Sequence, residues 1–501
     1  MSAGGETSGP VPIGRPPLLL VAAIAALTVI RLAVAGASDL VDDEAYYRLW
    51  SLSLAFGYYD HAPMVAWMIR AGRALVGDGA LGVRLFAPLA TAAGTFLLWR
   101  AVALVDGRET ATRAAIWFNA MILVGAGSVL ATPDTPAVFF WGATVWALAE
   151  LTASRNPAWW LVVGVAAGLG LFSKYSVLFL GLGIGLWLVS SRESLRWLKA
   201  WQLWLGGAIA AAIFLPVILW NADHEWASFA KQFGRTVPKG WRPEKTAEMI
   251  GVQMLLIGLP MVPLIGLGLG RSTAAWRRGG PGAAGAILPI ATGVPFVAYL
   301  LFHSLHGGVE GNWPGPLYPS FAWLAARAAG DLGGLSTRAR AIFERLTRRV
   351  APFGFALTAL LYLHVVMPLV VLPPQRDPTA QMRGWDGLAR EIEARAKAEG
   401  AGWIGAANYT VEGQLAKRLG VERVIALDEA MRWVHLPPPD PALAATPGLV
   451  VARADRLSIE DLTPRFGRVT ALGRIVRRER GQAVEGHDLF LVAEPKRWPP
   501  R

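Results

Sequence analysis

The chain has 501 residues, 54% hydrophobic and 17% charged, with a mean hydropathy of +0.40. That is too apolar for a water-soluble protein of this size, and its many apolar runs of about 20 residues are long enough to cross a bilayer as helices. The formal net charge of +12 comes with no basic-aromatic RNA motif, no zinc-finger spacing, no Walker-type glycine loop and no cysteine, so the nucleic-acid, P-loop and thiolate-metal classes fall away.

In chain order, the first apolar run is 17–37; it carries Arg31 and lacks a convincing small-residue cleavage site, and so reads as a retained span. Directly after it comes the stretch that organises the chain, 39–64, DLVDDEAYYRLWSLSLAFGYYDHAPM. Asp39, Asp42, Asp43 and Glu44 crowd into six residues, repel one another and raise some of their own pKa values. Such crowding is a poor way to stabilise a protein and a good way to hold a base or bind a cation or amine. The same acids also suit the first turn of a short surface helix. Tyr46, Leu49, Trp50 and Leu54 recur at helical spacing, and 63–76 sets Met64, Trp67, Met68 and Leu75 beside Arg70 and Arg73. Both pieces predict helices lying in the membrane interface.

Further spans are predicted at 81–104, 113–131, 135–152, 158–173, 175–190, 202–220, 249–270, 282–302, 315–328 and 351–372, about eleven crossings in all. With a cytoplasmic N-terminus, most basic loops fall inside, as the positive-inside bias requires. The loop 221–248 departs from it, with Lys231, Arg235, Lys239, Arg242 and Lys245 outside, which points to an anion-binding role. The outer face then collects 39–64, Thr132–Pro136, Ser173–Tyr175, Asn221–Glu225 and His303–Tyr318. The chain thus reads as an α-helical polytopic membrane domain, 1–372, followed by a small outer α/β domain, 373–501, with helices at 385–399 and 409–419 and strands near 404–407, 424–427, 449–452 and 489–493.

Among the residues on that face, Asp43 or Asp42 suits a general base. Lys174, alone between two apolar spans, suits either a lysine snorkelling to the headgroups or a point charge on a phosphate. Asp134 suits a helix cap as well as a site. Arg31 and Arg84 demand partners near the ends of their spans, either the acidic loop or a phosphate. His61 is a candidate proton carrier or phosphate contact. Glu310, Asn312 and Trp313 offer an acid, an amide and a ring, a combination that suits a sugar, and His303, Tyr46, Tyr59 and Tyr318 complete the substrate-binding candidates. His303, His306 and Glu310 do not have a recognised metal spacing.

The order DDEAYY…LW…GYYDHAPM…TPDTP…GLFSKYS…NADHEWASF…VEGNWPGPLYP resembles the polytopic GT-C glycosyltransferases over roughly 20–325. The branch it resembles is the bacterial dolichyl-phosphate-mannose-protein mannosyltransferase-like family, which includes the lipid A aminoarabinose transferase. The resemblance implies a multi-pass inner-membrane enzyme with its active site facing the periplasm and a polyprenyl-phosphate sugar as donor. It places the catalytic acid at Asp43 with Glu44 beside it, the second acidic position at Asp134 and the donor-phosphate lysine at Lys174. Where the aminoarabinose transferases carry a lysine before Pro-Pro, this chain has His61-Ala62-Pro63, a departure that leaves the sugar open. The implied reaction is a single, inverting displacement at the anomeric carbon: Asp43 takes the acceptor's proton, and Lys174 with Arg84 or Arg31 eases departure of the lipid phosphate. No cofactor is implied and a divalent ion is not expected. The acceptor is a lipid or glycan such as lipid A or lipopolysaccharide; the alternatives are a polypeptide, as in protein O-mannosyltransferases, or, in another class, a flippase that moves the lipid-linked sugar intact.

Overall fold

The computed structural model describes residues 14–500 apart from 236, 238, 239, 281, 369–372, 374 and 375. Lys239, Pro374 and the end of the predicted span 351–372 therefore lie outside the described residues. The chain divides into two compact units. The first comprises the residues up to Leu32 with Phe86–Ala222 and Gln232–Tyr362; the second comprises Ala33–Leu85, Asp223–Lys231 and the residues from Leu363 onward.

Among the described residues, six helices are long and apolar enough to cross a membrane: Leu18–Ala37, Ala80–Ala120, Asp134–Ser154, Trp201–Asp223, Ala283–Ser304 and Thr337–Val366. Two further pairs, Tyr175–Val189 with Arg192–Lys199 and Pro243–Ile257 with Val262–Arg278, are bent by 109° and 96° and bring the count to eight if each pair is one span. Length and composition thus support six to eight crossings where the sequence predicts eleven. The shortfall has local causes. The span expected at 158–173 is a helix of 13 residues, Trp159–Leu171, and that at 315–328 is a helix of 13, Tyr318–Gly330, each under the ~20 residues that a hydrocarbon core requires. The segments expected at 81–104 and 113–131 fall largely within Phe86–Ala120, which is two helices broken at Gly107, whose φ of 82° only glycine adopts at little cost.

The first unit is a helical bundle with a core rich in tryptophan, including the fully buried Trp141, Trp160, Trp187 and Trp323. Outward-facing apolar side chains remain exposed, Leu18 and Leu19 at 85% and Trp204 at 66%, as a chain solvated by lipid allows. The structure is that of a multi-pass membrane protein.

The second unit holds the helix Asp42–Trp50, hereafter the acidic helix, the helix Met64–Val76, and the C-terminal α/β region. That region is a five-stranded sheet of β1 (Trp403–Ala406), β2 (Val424–Ala426), β3 (Gly448–Arg453), β4 (Phe466–Glu479) and β5 (Gln482–Pro495), in the order β2-β1-β3-β5-β4. β1 runs parallel to β2 and β3, while β5 pairs antiparallel with β3 and β4. The helices Trp385–Ala398 and Tyr409–Leu419 fall where their periodicity predicts. Strand β4 does not, because its GRIVRRE sequence is that of an edge strand whose exposed charges blunt further pairing and hide the alternation of a half-buried strand.

Candidate active site

The acidic helix begins after Val41, whose backbone N–H is accepted by Glu44 Oε2 at 3.0 Å, so one of the three first-turn acids satisfies an orphan donor of the helix end. The acids then part company. Glu44 is fully buried and forms an ion pair with Arg84 at 2.5 Å. Arg84 also donates to the carbonyls of Ala35, Ser38 and Asp39 and to Ser38 Oγ at 2.7–3.0 Å, so its Nε and both terminal nitrogens are engaged within this unit. Asp42 is buried and accepts from Arg453 at 2.7 Å and from Gln414 at 3.2 Å; burial outweighs these partners and raises its pKa. It borders a cavity of about 450 Å³ that Arg453, Arg477 and Glu485 also line. Asp39 lies between Lys417, at 2.6 Å, and Arg418; burial works against it, but these two cations hold its pKa below the ordinary value.

Asp43 is the exception. Its residue surface is exposed and, among the described residues, its side chain makes no ion pair and takes a hydrogen bond from Tyr409 Oη at 3.3 Å. Surrounding protein pushes its pKa up to about 6, with Asp42, Asp60 and Glu44 adding repulsion and the Tyr409 bond opposing. Nearby, Tyr46 donates to Asp60 at 2.9 Å, and Asp60 is ion-paired with Arg432. The Arg432 guanidinium lies over the rings of Tyr409, Tyr59 and Tyr46 at 4.7, 5.1 and 5.4 Å. Lys231 sits over Tyr59 at 4.5 Å and reaches Glu429 at 3.3 Å, so this cation of the basic 221–248 loop is engaged by protein groups. His61 packs its ring edge-to-face on Tyr47 at 6.2 Å.

In the first unit, Lys174 Nζ meets Asp134 Oδ1 at 2.6 Å, and Asn312 Nδ2 donates to Asp134 Oδ2 at 2.7 Å. Asp134 opens the helix Asp134–Ser154, while Lys174 stands in extended backbone between Trp159–Leu171 and Tyr175–Val189. Three residues from three predicted outer loops thus form one cluster. His303 is buried with its ring 5.3 Å from that of Trp313, and Glu310 is exposed. Tyr318 is buried and donates to Gln253 at 2.8 Å; Arg31 is fully buried and donates to Asn119 at 2.7 Å, an interior helix-to-helix bond. Among the described residues, no group of three His, Cys, Asp or Glu could hold a metal ion.

Sequence reading passed over Asp60, although it stands inside the 39–64 stretch, and Tyr409, Arg432 and Arg453, which reach the acidic loop from more than 360 residues further along the chain. The one local sign of Tyr409 is the Asn408 cap that starts its helix.

The fold is that of two solved structures of ArnT from Cupriavidus metallidurans, one apo and one bound to undecaprenyl phosphate, on which the chain superposes with TM-scores of 0.64 and 0.63 at 15% identity, covering 95% of this chain and 98% and 97% of those. Residues 60–220 match the family described as dolichyl-phosphate-mannose-protein mannosyltransferase. Among curated proteins, the chain is 33% identical over 193 residues to the lipid A galacturonosyltransferase RgtD of Rhizobium johnstonii, covering 38% of this chain and 40% of that one. It is 27% identical over 297 residues to the undecaprenyl phosphate-alpha-4-amino-4-deoxy-L-arabinose arabinosyl transferase of Edwardsiella ictaluri, covering 55% and 50%. The chain thus shares the fold of the ArnT structures and local sequence similarity with lipid A sugar transferases, and it spans half or less of the length of the curated relatives it matches.

Proposed function

We propose that the chain is an inverting glycosyltransferase that moves a sugar from a polyprenyl-phosphate donor to a hydroxyl or phosphate oxygen of a lipid or glycan acceptor such as lipid A, on the periplasmic side of an inner membrane crossed by about eleven helical segments. In this reading 1–372 is the membrane catalytic domain and 373–501 a periplasmic α/β domain. The observation that carries it is Asp43, among the described residues a carboxylate without a cation at the head of an acidic helix whose other acids are paired. A base with a pKa near the working pH is both ionised and basic enough to take a proton. The acceptor oxygen attacks the anomeric carbon, Asp43 receives its proton, the carbon–oxygen bond to the phosphate breaks and polyprenyl phosphate leaves. Asp42 and Glu44 hold the helix. Lys174, fixed by Asp134 and able to act as a compact charge on a phosphate, neutralises the leaving group. Arg84, with its donors engaged, is left out of that role, and so is Arg31, directed at Asn119. The match of 60–220 to the protein mannosyltransferase family supports a second reading with the same donor chemistry and a Ser/Thr acceptor.

The test is transfer by the purified chain in lipid vesicles supplied with an undecaprenyl-phosphate sugar and lipid A, with NMR reading the anomeric configuration of the product. Inversion is expected; retention would contradict single displacement. Two outcomes follow from the geometry. The kcat/KM profile rises with pH on an acid limb centred near 6, because only ionised Asp43 accepts a proton, and falls about tenfold per pH unit below it. Lys174→Met weakens donor use by roughly tenfold or more in kcat/KM while leaving acceptor KM unchanged; a donor-independent loss would return Lys174 to a structural role.

A further inference from the structure

Building on the reading of Asp43 as the base, we propose that Tyr409 is its positioning residue: the C-terminal α/β region reaches back through this phenol to fix one oxygen of the Asp43 carboxylate and leave the other to receive the acceptor's proton. The region thereby becomes part of the catalytic apparatus, a role for which its own sequence carries no motif.

Tyr409 is placed at both ends of its side chain. At the backbone it opens the helix Tyr409–Leu419, where Asn408 Oδ1 accepts the N–H groups of Thr410 at 3.1 Å and Val411 at 3.0 Å. That helix crosses the acidic helix at Gly413, where a Cβ would lie 2.7 Å from the Tyr46 nitrogen and 2.8 Å from the Ala45 carbonyl carbon, so only glycine permits the approach. Gln414 adds bonds to Leu40 O at 3.0 Å and Asp42 at 3.2 Å, and Lys417 and Arg418 grip Asp39. At the ring, Tyr409 lies between Tyr46, at 4.9 Å, and the Arg432 guanidinium. Its hydroxyl is therefore delivered to Asp43 Oδ1 rather than found there by chance.

The groups that face Asp43 explain why such a donor is needed. Asp42, Glu44 and Tyr47 come from its own helix, Asp60 from the loop that follows, and Tyr409 from the C-terminal region, with Arg432 one ring further away and neutralised by Asp60, Asp428 and Glu429. Asp42, Asp60 and Glu44 all act on Asp43 with negative charge. A neutral donor favours the ionised carboxylate without adding a cation that would make it a poor base.

The experiment is site-resolved carbodiimide labelling of the full-length protein in vesicles, read by peptide mass spectrometry across pH, because carbodiimides modify the protonated carboxyl. In the wild type, labelling of Asp43 falls with a midpoint near 6. In Tyr409→Phe, which keeps the ring and its packing, the midpoint moves upward by roughly half a pH unit, the size of one lost hydrogen bond. The acid limb of kcat/KM follows it, and kcat at pH 7 falls roughly 3- to 30-fold with donor KM unchanged. Lys417→Met loosens the same helix at Asp39 without touching Asp43 and leaves the midpoint where it was. An unmoved midpoint in Tyr409→Phe, or an equal shift in Lys417→Met, overturns the proposal. Failure of the underlying reading is separate: the wild-type chain would transfer no sugar while the labelling still reported on the hydrogen bond.

Discussion

Asp43→Asn removes sugar transfer by roughly 10²- to 10⁴-fold in kcat, the range for a missing general base, and does so without weakening the fold. Thermal unfolding separates the two effects, with a sign set by linkage. The folded protein raises the pKa of Asp43 from 3.8 to about 6, so ionising it costs more in the folded state than in the unfolded chain. That cost is absent below about pH 4, grows as the pH rises toward 6 and is constant above it. The asparagine variant is therefore at least as stable as the wild type at pH 7.5, with a difference that vanishes at acidic pH. An inactive variant that is also destabilised at pH 7.5 would make Asp43 a structural acid.

Arg84 is expected to behave in the opposite way. Its ion pair with Glu44 has side chains 1% and 0% exposed, and removal of one member of such a pair leaves the other charge buried without a partner. Arg84→Met or Glu44→Gln is expected to destabilise the second unit by about 3–5 kcal/mol, seen as poor yield and a lowered Tm in detergent. The double variant Glu44→Leu/Arg84→Met recovers part of the loss, because no buried charge is left unpaired, while the Val41 N–H and the carbonyls of Ala35, Ser38 and Asp39 still lose their side-chain partners. If Arg84 held the donor phosphate instead, Arg84→Met would keep its Tm and lose donor affinity.

The contrast between these two residues shows where the sequence was informative. Helical spacing and short apolar runs give these elements directly, so the helices Asp42–Trp50, Met64–Val76, Trp385–Ala398 and Tyr409–Leu419 are legible, and the runs 404–407, 424–427 and 449–452 fall on strands β1, β2 and β3 to within a residue. The crowding of acids at 39–44 marks the proposed site. What sequence cannot assign is which acid stays uncompensated, because the partners come from Arg84, Arg453 and Lys417, 40 to 411 residues away. Lys174 and Asp134 look like unrelated span ends until the fold sets them 2.6 Å apart. The number of crossings is less legible for a different reason: apolar composition extends past helix ends, so the run 158–173 reads as a longer span than the 13 residues of Trp159–Leu171.

The central claim, that the chain transfers a sugar to an envelope acceptor, is tested most directly by mass spectrometry of lipid A, polysaccharide and envelope proteins. The comparison is of cells lacking the gene, cells restored with it and cells given the Asp43→Asn form. A sugar-sized mass is expected on lipid A or another envelope glycan only with the intact gene. The same mass on peptides would move the acceptor to protein, and a mass that persists with Asp43→Asn would contradict the account.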